Sequence, residues 1–125
     1  MLLKTSELTG PALDWAVAKV LGLGYQLDDK YGPMCFRPVT TPGVVHWDSK
    51  PPPYSTDWAQ GGPILSEARI SRTIDHSGLW IAYSAYNYSD EKQHMQCHNE
   101  ELVAGLRCFV TSKLGDEVDV PKELL

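Results

Sequence analysis

The chain has 125 residues and a formal net charge of −5, enough for one domain with one core and too short for two. Its basic residues are scattered singly from Lys4 to Lys122, so no cluster exists to neutralise phosphates and no nucleic-acid partner is expected. The start, Met1 to Glu7, lacks the basic region and long apolar stretch of a signal peptide, and no apolar run approaches a membrane span. Three widely spaced cysteines, Cys35, Cys97 and Cys108, suit a reducing compartment. A soluble cytoplasmic protein is expected.

The first helix is predicted over about 10–22. Thr9 supplies a capping residue and Pro11 sits in the first turn, where its missing N–H costs nothing. Leu13, Ala16, Val17 and Val20 repeat at helical spacing, widened by Ala12 and Trp15. Asp14 falls near the positive end of the helix dipole and Lys19 near the negative end, and Gly22 and Gly24 stop the helix. Leu23, Tyr25 and Leu27 then alternate as a short strand, followed by turn chemistry from Asp28 to Pro33. Met34 to Val39 and Val44 to Trp47 read as short strands that Pro38 and Pro42 confine to edges or irregular coil.

Pro51, Pro52 and Pro53 predict a stiff, extended arm leading into the segment Tyr54 to Ile64. That segment is too polar for a core strand and too aromatic for a flexible linker, so it reads as an ordered loop. Tyr54, Asp57, Trp58, Gln60, Gly61 and Gly62 are the candidate binding residues. The indole offers apolar area, the carboxylate and amide give orientation, and the glycine N–H groups could add contacts. The segment lacks the Lys-Ser/Thr pair of a phosphate loop. In the competing structural reading Ser55, Thr56 or Asp57 caps a tight turn and Trp58 fills a gap in the core; that reading is preferred.

Pro63 is expected to open a short helix through Ile64, Leu65 and Ala68, with Glu67 and Arg69 outward. A hairpin over 70–86 follows, turning at Asp75-His76-Ser77-Gly78 in a type I turn with a glycine bulge. In its return strand the face with Leu79 and Ile81 is expected on the core, leaving Trp80 and Tyr86 outward as an aromatic pair suited to a protein interface. Asn87 to Asp90 ends that strand. The last helix is predicted over about 99–114, capped by Asn99 or His98, with Glu100 and Glu101 at its positive end and Gly115 ending it. Leu102, Leu106, Phe109 and Val110 form its buried stripe. The sum is a single α+β domain, 1–125: a small antiparallel sheet flanked by an N-terminal and a C-terminal helix.

His94, Cys97 and His98 have helical spacing from which a zinc site could be drawn with Cys35, Cys108 or His46, but only one ligand knuckle is visible. A polar turn before the last helix is preferred, and neither a metal nor any other cofactor is expected. Cys108 lies inside the predicted last helix with no base or helix start to activate it, so it reads as core filler. No acid/base, nucleophile or metal set stands out, and no catalytic residue is assigned.

Three blocks carry a family resemblance: Lys4 to Gly10 running into Ala12 to Lys19, the segment Tyr54 to Ile64, and Arg107 to Val110 running on from Ser112 to Val118. In their order and spacing the chain resembles the NinX-type proteins of tailed bacteriophages and prophages. It departs from that pattern at Gln93 to His98, where a Gly/Pro/Thr turn is usual, and in a longer, more proline-rich stretch from Asp28 to Pro53. The resemblance implies a phage accessory protein in the cytoplasm of the bacterial host and carries over no catalytic residue. The preferred function is binding to a host or phage protein through the Tyr54–Ile64 segment; the alternative is a small-molecule or enzymatic site formed by Asp57, Gln60 and the glycine corner against Asp14 and Trp15.

Overall fold

The computed structural model describes residues 1–22, 51–85 and 92–125, together with the backbone of three strands at 25–28, 32–37 and 46–48. The elements run β1 (Leu2–Lys4), α1 (Gly10–Val20), β2 (Tyr25–Asp28), β3 (Gly32–Arg37), β4 (His46–Asp48) and α2 (Trp58–Glu67). They continue with β5 (Ser71–Ile74), β6 (Trp80–Tyr83), β7 (Met95–His98), α3 (Glu101–Leu114) and β8 (Glu117–Asp119). This is the expected α+β class. The strands form three antiparallel sheets, ordered β1-β8, β2-β3-β4 and β5-β6-β7.

The centre of the molecule is α3. Its residues from Leu102 to Thr111 are all buried, because the helix lies on β6 and β7 and packs against α1 and α2. Leu13, Ala16 and Val17 of α1, Leu65 of α2 and Ala104, Leu106 and Val110 of α3 meet in the core. Gly105 sets the distance between α2 and α3: a Cβ there would lie 2.6 Å from Leu65 Cδ1. The ends of the chain close over this core. Leu3 pairs with Val118, and Thr5 Oγ1 donates to the Gly115 carbonyl at 2.7 Å.

Local chemistry explains the hairpin. Asp75 Oδ1 accepts from the Ser77 amide at 2.8 Å, the Ser77 hydroxyl at 2.6 Å and the Leu79 amide at 3.0 Å, and Gly78 takes φ +90°. That is the expected Asp-first, glycine-bulge turn. β5 and β6 follow in register, with Ser71 opposite Tyr83 and Ile74 opposite Trp80.

Several expectations are corrected. Thr9 occupies the cap position of α1 but makes no side-chain cap bond; Pro11 removes one of the two amides a cap hydroxyl normally takes, and the other, that of Ala12, is not used. The faces of β6 are reversed: Ala82 is 0% exposed and Ser84 is buried, while Ile81 and Tyr83 on the other face are half-buried. Small residues lie inward because α3 must come close there. Gln93 to His98 is no pre-helix turn; it leads into β7, the third strand of the sheet, pairing Trp80 with His98 and Tyr83 with Met95. Strand alternation therefore puts Cys97 on the opposite face from His94 and His98.

β3 is the middle strand of its sheet rather than an edge, yet only Cys35 has a partner on both sides, so Pro33 sits where β4 does not reach. The strand end at Asn87 to Asp90, the aromatic residues Tyr86 and Tyr88, and the prolines Pro38 and Pro42 lie outside the described residues.

Candidate functional site

The proline arm bends before it reaches the candidate segment. The Tyr54 amide donates to the Pro52 carbonyl at 2.8 Å and the Asp57 amide to the Pro53 carbonyl at 3.0 Å, so the chain is already in a turn at Pro53. Tyr54 and Ser55 are buried by this turn. Beneath it, Asp14 Oδ1 accepts the Ser55 amide at 2.7 Å. Burial raises the Asp14 pKa above the usual carboxylate value, while the Ser55 hydroxyl and amide pull it the other way. The hydroxyl lies within electrostatic reach of the carboxylate without full hydrogen-bond geometry.

Helix α2 starts at Trp58, not at Pro63. Asp57 is its cap: Oδ1 accepts the Ala59 amide at 2.9 Å, and Oδ2 accepts from Gln60 Nε2 at 3.0 Å. Gly-Gly-Pro therefore lies within the helix. Pro63 leaves the Ala59 carbonyl without its usual donor, a small cost because both residues are exposed to water. Gly61 is required by packing, since a Cβ there would meet the Tyr54 carbonyl and lie 2.9 Å from Leu102 Cδ1.

Trp58 does not plug the core. It is 48% exposed, on the first turn of α2. A Cβ on Gly62 would lie 3.3 Å from Trp58 Cε3, and the Arg72 guanidinium carbon lies 6.0 Å from the ring centroid. Arg72 is itself fixed, donating from Nε to Glu101 Oε1 and from Nη1 to the Ile70 carbonyl, each at 3.0 Å. The result is an indole held in place at the surface by a pinned guanidinium, with Gln60 exposed on the same turn.

The six candidate residues thus divide. Tyr54 and Gly61 are buried packing residues, Asp57 is the cap, Gly62 lies under the indole, and Trp58 and Gln60 face solvent. Asp14 and Asp57, which the enzymatic reading would use together, are each engaged by a main-chain amide of this corner. Sequence reasoning missed Arg72 and Glu101, because nothing local links a strand residue and a helix-start acid to a tryptophan on another element.

Cavities among the described residues lie elsewhere. One of about 340 Å³ opens between the C-terminal ends of α1 and α2 and the last turns of α3, lined by Val20, Leu21, Ile64, Phe109 and Lys113 among others. One of about 140 Å³ is lined by residues including Ser84, His94 and Ser112. Cys108 is fully buried, and burial pushes its thiol up to about 12, far from a nucleophile's range. Among the described residues no three His, Cys, Asp or Glu side chains gather as a metal site.

Fold and surface describe a small α+β protein that presents a fixed aromatic corner on a helix start. The family model described as Bacteriophage P22, NinX matches residues 4–113, and the chain belongs to that phage protein family. Among curated proteins, none matches the chain.

Proposed function

We propose that this phage protein is non-enzymatic and acts in the host cytoplasm by binding another protein, of the host or of the phage, through the Trp58 corner. The observation that carries this reading is the half-exposed indole, held against Gly62 and Arg72 instead of being buried. Tryptophan and arginine are the residues most often found at the energetic centre of protein interfaces, and a side chain fixed beforehand loses little entropy on binding. Gln60 and Glu101 supply the polar surround such an anchor needs. The small-molecule alternative finds less support, because Asp57 is already occupied as a helix cap. Among the described residues no helix is long and apolar enough to cross a membrane.

The test is affinity capture from infected host cells with the wild-type chain and with Trp58→Ala as baits. We expect the variant to keep the wild-type melting temperature to within a few degrees, since little of the indole is in the core. A protein retained by the wild type and lost by the variant supports the reading. The same set retained by both baits, or a variant that unfolds, overturns it.

A further inference from the structure

The sheet β5-β6-β7 has two edges, and they are treated differently. At β7 the Cys97 carbonyl accepts from Arg107 Nη1 at 3.3 Å, so a guanidinium occupies that side. At β5 the pairing pattern fixes what faces outward. The Asp75 amide donates to the Leu79 carbonyl at 2.9 Å, which makes Asp75 and Leu79 a hydrogen-bonded pair. Antiparallel alternation then makes Thr73 with Ile81 and Ser71 with Tyr83 the next such pairs. The amides and carbonyls of Arg72 and Ile74 therefore point away from β6, and no described residue supplies them a partner.

Natural edge strands are guarded by proline, a bulge or a free charge. β5 reads Ser-Arg-Thr-Ile and is paired regularly, with neither proline nor bulge. Its one charge, Arg72, is drawn back to Glu101 and the Ile70 carbonyl. Beside the open edge stand two half-exposed apolar side chains, Ile74 at 51% and Trp58 at 48%.

We propose that β5 is the pairing edge of a weak symmetric dimer, in which two copies join their sheets antiparallel through this strand. The outward groups of Arg72 on one copy bond those of Ile74 on the other, and Thr73 faces its own counterpart at the two-fold axis. That register places the second copy's Ile74 beside Arg72 and the Trp58 ring, covering both exposed apolar groups twice. It also complements charge. The exposed Arg69 precedes the strand and the acidic Asp75 follows it, so antiparallel copies set each arginine toward the other's aspartate. Such a contact falls at the small end of interface sizes, below about 1,200 Å², so association appears only at high protein concentration.

Because the second copy covers the Trp58 ring, this weak dimer competes with partner binding at that corner, and it is read out differently: by cross-linking and mass rather than by capture. Sedimentation velocity of the wild-type chain should shift toward the dimer as concentration rises to about 1 mM. Ile74→Lys puts an ammonium in the seam and should weaken association by about tenfold or more, with the monomer fold intact. Thr73→Cys, made with Cys35→Ser and Cys97→Ser, should form a disulfide-linked dimer on mild oxidation, because facing non-hydrogen-bonded residues bring their Cβ atoms to about 4.5 Å. Ser71→Cys in the same background faces Asp75 of the other copy and should not cross-link. A wild-type chain that stays monomeric throughout, leaving the edge to a strand from another protein, overturns the proposal. So does cross-linking of Ser71→Cys as fast as Thr73→Cys.

Discussion

Asp14 shows how a single buried residue can matter through its oxygen more than its charge. The Ser55 amide needs an acceptor where water cannot reach, and the carboxylate supplies it at 2.7 Å. Burial nonetheless raises its pKa, so the ionised form is disfavoured in the fold. A raised carboxylate contributes stability that is present below the unfolded value of 3.8 and lost as pH rises through the folded value. Asp14→Asn keeps the acceptor without the charge and should be at least as stable as wild type at pH 7, its advantage shrinking as pH falls toward 3.8. Asp14→Ala orphans the amide and should cost about 1–3 kcal/mol. Urea unfolding at pH 7 and pH 4 tests this; an Asn variant as weak as the Ala variant would show that the charge is needed.

His98 gives the opposite slope. Burial first, and then the positive charge of Arg107, hold its imidazole below the usual 6.5. Its Nδ1 accepts the Glu100 amide at 2.9 Å, which requires that nitrogen to be unprotonated. A depressed histidine contributes stability above about 6.5 that is lost as pH falls through its folded value. His98→Asn offers an oxygen acceptor that does not titrate, so its stability should be flatter between pH 7 and pH 5. Equal slopes for the two proteins would sink the assignment. The expected cap of α3 by Asn99 or His98 is not formed: Glu100 stands at the cap position without a side-chain cap bond, and His98 instead holds its amide. Asp14 was legible only as an acid near a helix start, because its partner lies 41 residues away.

At the level of elements, what could be read from sequence was what is decided locally. The Asp75–Gly78 turn forms from its own side chains, and α1 and α3 announce themselves by periodicity. β7 was missed because the four residues Met95 to His98, two polar and two apolar with no β-branched side chain and no Phe, Tyr or Trp, become a strand only by pairing with β6. α2 was misplaced for a related reason. Gly61, Gly62 and Pro63 are poor helix formers, and the helix continues through them because Asp57 caps it and Leu65 packs onto Gly105. The surface position of Trp58 was not legible, since sequence shows an aromatic residue but not which side of a helix start it faces. The glycines carry a test. Alanine normally favours a helix by about 1 kcal/mol over glycine. Here Gly61→Ala and Gly105→Ala should instead each lower stability by about 1–3 kcal/mol, because neither site has room for a Cβ. A gain at either position on thermal melting would mean that α2 and α3 can move apart.

For the whole molecule, Arg107 is the residue that ties the ends of the chain to its centre. It lies in the buried stripe of α3, where sequence gives no hint of its acceptors. Its Nε donates to the Leu8 carbonyl at 2.7 Å and its Nη1 to the Cys97 carbonyl, joining the segment before α1 to the outer strand of the sheet. Burial lowers its pKa, yet an arginine remains charged at any working pH. Arg107→Met fills a similar volume and removes the cost of a buried charge, but strands two carbonyls. The net effect should be a loss of about 1–3 kcal/mol. If residues 1–125 fold as one unit, far-UV circular dichroism and tryptophan fluorescence will give coincident urea transitions in the wild type, and both will move together to lower urea in the variant. Local loosening is the contrary result: faster hydrogen exchange at β7 with an unmoved global midpoint. That outcome would make Arg107 a guard of the β7 edge alone, and cooperativity would then have to come from the packing of α1 and α2 on α3.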